Sequence, residues 1–108
     1  MPFGLSDKAI CAITDVLKKF PEVEEAVLYG SRAKGNYHEG SDIDLTLKGE
    51  KLNLDTLNAI SWRLDDLLLP QKIDLSMYHR ISNPNLIDHI QRVGQTIYKK
   101  ASTFAPNE

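Results

Sequence analysis

The sequence predicts a two-layer α/β (α+β) fold, a small β-sheet with helices packed on one face and an open, acidic face on the other. Three observations predict it. The stretches Ser41 to Lys48 and Lys72 to Tyr78 alternate polar and apolar residues, which is the period of a strand. Segments with apolar residues at helical spacing stand before, between and after them. The strands are also apolar on one side only: Ile43, Leu45 and Leu47 oppose Asp42, Asp44, Thr46 and Lys48, while Ile73, Leu75 and Met77 oppose Lys72, Asp74 and Ser76. Strands covered by helices on both faces would be apolar on both.

Taken in order, Ser6 and Asp7 cap a first helix whose inner face carries Ile10, Ile13, Leu17 and Phe20, and Pro21 stops it. Ala26 to Tyr29 forms a short strand that ends at Gly30, and residues 31–40 form a turn and loop. After the strand at Ser41 to Lys48, the spacing of Leu57, Ile60, Leu64 and Leu67 or Leu68 predicts a helix from about Asn53 to Leu69, closed by Pro70. The strand at Lys72 to Tyr78 follows. Asn83-Pro84 opens a last helix bearing Leu86, Ile87, Ile90 and Val93, with Gly94 at its C-terminal cap and a short strand at Gln95 to Tyr98. Residues 1–100 therefore read as one domain, and residues 101–108, which lack apolar periodicity, as a frayed tail.

Bulk properties narrow the functional classes. A chain of 108 residues with 42% hydrophobic residues has material for one core. A net charge of −2, with 26% charged residues, excludes a basic protein drawn to DNA or RNA by long-range attraction. A lone Cys11 excludes an internal disulfide and a cysteine zinc site, in keeping with a reducing compartment, so the cytoplasm is the expected location. No stretch approaches the roughly 20 apolar residues that span a bilayer, so no membrane association is expected.

The chemistry lies on the polar face. Asp42 and Asp44 are two residues apart on a strand, so they point the same way with Cα atoms roughly 6.5 to 7 Å apart. Asp74 is the acidic residue within the other patterned strand, and if the two strands are neighbours in suitable register the three carboxylates converge. Such clustered negative charge opposes folding unless cations neutralise it, and hard oxygen ligands with no nearby His or Cys favour Mg2+ or Mn2+ over zinc. Two such ions could activate an acceptor oxygen and stabilise leaving pyrophosphate. Upstream, Gly30-Ser31-Arg32-Ala33-Lys34-Gly35 follows the first strand directly. Its glycines let the backbone approach a ligand, and a short helix starting at Ser31 would offer a hydroxyl and free N–H groups to triphosphate oxygens. Arg32 and Lys34 either add positive charge beside that site or are ordinary surface charges. The spacing is not that of a P-loop.

Gly30-Ser31 followed by Asp42-Ile43-Asp44, with Asp74 on a later strand, resembles the signature of the DNA polymerase β-like nucleotidyltransferase superfamily. The wider stretches Leu28 to Gly35 and Ser41 to Leu45 resemble its minimal, MNT-type branch. The resemblance implies a mixed sheet of the polymerase β palm kind. It implies Gly30 and Ser31 as the nucleotide turn, with Ser31 a phosphate contact, Asp42 and Asp44 as ligands of both of two metal ions, and Asp74 as a ligand of the catalytic one. The implied activity is transfer of a nucleotidyl group, AMP from ATP, to a hydroxyl of a macromolecule. Members of that branch often pair with HEPN-domain proteins as antitoxin and toxin, so a HEPN-type partner is expected; a homo-oligomer is left open.

Blander readings stand beside these. Asp65-Asp66 reads as a solvated helix face, Tyr37 and His38 as exposed loop residues, His79 and His89 as residues without a partner at metal spacing, and Cys11 as a small core residue. The rival to an enzyme is a non-catalytic nucleotide- or partner-binding module that keeps the fold. Three retained aspartates argue against it, because such a module has no use for clustered repulsive carboxylates.

Overall fold

The computed structural model describes residues 2–100. A 3-10 turn at Pro2–Gly4 precedes helix α1 (Asp7–Lys18), strand β1 (Glu25–Tyr29), the one-turn helix α2 (Ser31–Lys34), β2 (Ile43–Lys48), α3 (Leu54–Asp65), β3 (Ile73–Met77), a 3-10 turn at Tyr78–Arg80, α4 (Pro84–Val93) and β4 (Gln95–Lys99). The caps are those the sequence announces. Ser6 accepts from the Ala9 N–H, Asn53 from Thr56, and Asn83 from Asn85 and Leu86, so each long helix starts with a side chain satisfying its free donors. Among the described residues no helix is long and apolar enough to cross a membrane.

The sheet is mixed, in the order β3-β2-β1-β4, with β2 and β3 parallel and the other pairs antiparallel. A parallel pair needs a long crossover, and α3 supplies it. Helices α1 and α3 cover one face, closing a core around Ile13, Leu17, Leu28, Ile43, Leu45 and Ile60, none of which is exposed. Burying a Leu or Ile side chain contributes roughly 1.5–3 kcal/mol, so the inward face of β2 is fixed by Ile43, Leu45 and Leu47 together. A slip of one residue would drive Asp44 into that core, which is why the opposite face carries the carboxylates without ambiguity.

Three expectations need correction. The acidic face is not wholly open: α4 lies across it at β1, where Ile90 packs on Val27 and Tyr29 in a second, smaller cluster. The sheet therefore has helices on both faces at β1, and the uncovered acidic part is confined to the ends of β2 and β3. Helix α3 stops at Asp65 rather than Leu69; Leu67 and Leu68 close as three-residue turns onto Leu64 and Asp65, and Leu68 takes φ 55°. Pro70 disfavours helical backbone at Leu69 and so keeps the helix from reaching it, while the positive φ of Leu68 has already ended the helical path. Gly94 ends α4 as its C-cap, as the sequence predicts, with extended φ and ψ. Its lack of a side chain answers a need for space, because a Cβ there would collide with the Ile90 carbonyl and the Val27 side chain. Cys11 is exposed rather than in the core, as it lies two residues, about 200° around the helix, from fully buried Ile13. The tail from Ala101 lies outside the described residues.

Candidate active site

Strand register assembles the site. Asp44 is the cross-strand partner of Asp74 on parallel β3 and of Tyr29 on antiparallel β1, so Tyr29, Asp44 and Asp74 form one row across three strands on the same face. Neighbouring strands run about 4.8 Å apart, which puts the two carboxylates side by side. Asp42 stands just before β2 begins, next to Ile43, whose N–H binds the Lys72 carbonyl at 2.8 Å. Its charge reaches Asp44. Burial first, then the charges of Asp74 and Asp42, push the Asp44 carboxyl above its ordinary range. Burial likewise pushes the Tyr29 hydroxyl up, a contact with Ser76 opposes this, and the charges of Asp44 and Asp74 add to it. Tyr29 thus stands in the row as a neutral phenol.

The glycine-serine turn touches this row. Gly30 sits at φ 77°, ψ −155°, a conformation that L side chains rarely adopt, and a Cβ on it would land on the Asp44 carboxylate. Ser31 follows as the first residue of α2 and is half-buried, and Gly35 closes the helix in the left-handed conformation by donating to the Ser31 carbonyl. Gly30→Ala is therefore expected to lower stability by about 1–3 kcal/mol, through backbone strain and the displacement of Asp44. Thermal denaturation reads this as a drop of several degrees, and an unchanged midpoint would mean that the turn has another conformation open to it.

Arg32 departs from both readings given to it. It is only 2% exposed, and its guanidinium donates to the carbonyls of Phe3 (2.7 Å), Glu39 (3.1 Å) and Ser41 (3.0 Å from Nη2, 3.2 Å from Nε) while lying over the Tyr37 ring at 5.1 Å. With its donors occupied by backbone, Arg32 ties the loop before Asp42 to the N-terminal segment instead of meeting a triphosphate. Tyr37 serves the same tie. Lys34 is exposed, as are Asp42, Asp74, Asp65 and Asp66, and Asp44 is half-buried.

One residue escaped the sequence. His89 of α4 accepts the Gly30 N–H through Nε2 at 3.0 Å and meets the Tyr29 ring edge-on, with centroids 6.2 Å apart. The available signal was its position three residues after Leu86 and four before Val93, on the rim of the apolar stripe of α4.

The donor set fits a hard divalent cation. Three carboxylates share one face, and among the described residues the only ion pairs, Asp15–Lys18 and Asp88–Arg92, leave all three without a counter-charge. Among the described residues, however, no three His, Cys, Asp or Glu side chains are gathered into a ready metal site. Asp42 and Asp74 are both exposed, and like charges oppose their gathering around Asp44.

Residues 12–103 match the family model of the polymerase beta nucleotidyltransferases. The chain belongs to this family. No curated protein sequence matches it. Among solved structures, a toxin–antitoxin complex with AMP-PNP aligns at 21% identity and TM-score 0.68, over 89% of this chain and 75% of the other. An MNT antitoxin in complex with tri-AMPylated HEPN toxin from Shewanella oneidensis aligns at 17% and 0.66, over 89% and 74%. A nucleotidyltransferase-like protein from Sulfolobus solfataricus aligns at 20% and 0.51, over 85% and 78%. At these identities the likeness is one of fold, and the polymerase β-like nucleotidyltransferase fold is what this chain shares with all three.

Proposed function

We propose that this nucleotidyltransferase domain transfers AMP from ATP to a hydroxyl of a HEPN-type partner protein, as the antitoxin of a toxin–antitoxin pair. The observation that carries the reading is the register of Asp44 against Asp74, with Asp42 upstream and the Gly30 turn against Asp44. The AMPylated toxin bound to the Shewanella antitoxin, and the AMP-PNP complex, support the choice of group and partner.

Asp42 and Asp44, with Asp74, would hold two Mg2+ or Mn2+ ions, whose chemistry is to neutralise triphosphate charge and stabilise developing oxyanions. The residues of the chain do the rest. The Gly30-Ser31 turn receives the triphosphate through the Ser31 hydroxyl and backbone N–H groups. Asp74, one strand further from that turn, accepts the proton of the acceptor hydroxyl. The acceptor oxygen then bonds to the α-phosphorus, the bond from that phosphorus to the β-phosphate bridging oxygen breaks, and pyrophosphate leaves.

The test is intact-mass measurement of the partner after incubation with this protein, ATP and Mg2+. A gain of AMP with release of pyrophosphate is expected, and phosphate release in its place would point to hydrolysis. Calorimetry should show ATP binding that weakens at least about tenfold in excess chelator, because bare triphosphate would face three carboxylates. Equal affinity with chelator would remove the two-metal reading. The ungathered carboxylates favour one rival, a binding module without catalysis, which predicts tight partner binding and no mass gain.

A further inference from the structure

We infer that His89 is a positioning residue for nucleotide binding: from α4 it holds the Gly30 peptide, and through it the serine of the turn, in the orientation that receives the triphosphate. The inference rests on the nucleotide-binding reading above. Its first support is the hydrogen bond itself, from the Gly30 N–H to His89 Nε2 at 3.0 Å between residues 59 positions apart. A backbone N–H at the start of a helix finds no partner within that helix, so its direction is set by whatever lies outside. Here the outside partner is a ring nitrogen. Because Nε2 accepts, the ring N–H belongs on Nδ1.

The second support is how firmly the ring is placed. It stands edge-on to Tyr29, the residue before Gly30, with an interplanar angle of 79°. The next residue, Ile90, is buried against Val27 and Tyr29. At the end of α4, Gly94 allows an approach to Val27 that no side chain would permit. Helix α4 is thus docked on β1 at the residues on either side of Leu28, and His89 reaches the turn that β1 feeds.

The third support is what the turn would do alone. Gly30 at φ 77° has many alternatives, since glycine populates positive and negative φ about equally. A change of the Gly30 φ and ψ would redirect the start of α2, and Ser31 with it. The His89 acceptor selects one of those conformations before any nucleotide arrives, so the ordering cost is met in folding rather than in binding.

The experiment compares His89→Phe, which keeps a ring against Tyr29 but removes the acceptor, with His89→Gln, whose side-chain oxygen can reach the same N–H. In wild-type protein without nucleotide, a through-hydrogen-bond 15N–15N coupling between the Gly30 amide and His89 Nε2 is expected. The Gly30 amide should lose exchange protection in His89→Phe and keep it in His89→Gln. With Mg2+ and ATP, His89→Phe should raise KM about tenfold with kcat changed less than about threefold, and His89→Gln should restore KM, the pattern of a lost uniform binding contribution. Absence of the coupling, or a KM that neither variant moves, would overturn the inference. So would equal KM values for Phe and Gln, which would leave His89 a packing residue. Coupling and protection as expected in a wild-type protein that binds no nucleotide would instead bring down the proposed function, and would leave His89 as the residue that sets the turn.

Discussion

Asp44→Asn is expected to lower nucleotidyl transfer on the order of 10³-fold or more while raising the melting temperature of the protein in the absence of divalent ions. Both effects have one cause. Asp44 sits in the middle of the row, between the Gly30 turn on one side and Asp74 on the other, so it is the carboxylate that both halves of the site share. Its carboxyl is pushed above 3.8 by burial and by the charges of Asp74 and Asp42. Between 3.8 and that raised value the folded protein holds more of the Asp44 proton than the unfolded chain does, so stability falls as pH rises through the window and stays lower above it. Asparagine has the same shape and no charge to repel. The mutant should therefore match wild type at pH values below the window and melt higher near neutrality, and added Mg2+ should stabilise wild type but not the mutant. Melting curves across pH, with and without Mg2+, measure this. A mutant that melts lower near neutrality without metal would make Asp44 a structural residue.

The same row shows where sequence reasoning succeeds and where it stops. Alternation in β2 and β3 depends only on neighbours along the chain, and it put Asp44 and Asp74 on the face opposite the core, where the structure has them. Pairing Asp44 with Asp74 is a matter of register between strands joined by α3, and nothing local in either strand specifies it. Arg32 was misread for a related reason. A buried arginine usually announces itself by an acidic partner, but this one spends its donors on carbonyls from Phe3 and from the loop before Asp42, groups that every residue carries. Helix α4 is legible as a helix from Asn83-Pro84 and its apolar stripe, yet the stripe does not say which face of the sheet it covers. His89 was invisible for that reason: its meaning comes from Gly30, which α4 meets only once docked on β1.

Asp74→Ala separates the enzyme from the binding module. Asp74 lies on the edge strand β3, is exposed, and adds nothing to the core, so the substitution should leave the fold intact. Across the sheet the order is Gly30 turn, Asp44, Asp74, so in the proposed mechanism Asp74 lies one strand farther from the triphosphate and on the acceptor side. Nucleotide affinity should therefore stay within about threefold of wild type, since the turn and Asp44 keep their places. Transfer should nevertheless fall by several orders of magnitude, because a hydroxyl that keeps its proton is a weak nucleophile near neutral pH. The measurement is paired: ATP affinity by calorimetry with Mg2+, and AMP incorporation into the partner by intact mass, for wild type and Asp74→Ala. Asp44→Asn in the same assay should weaken both, as it sits at the junction. Undiminished incorporation by Asp74→Ala would remove Asp74 from the proton-accepting role. If wild type with its partner incorporates no AMP and all three proteins bind that partner equally, the carboxylates serve no chemistry and the domain acts by binding alone.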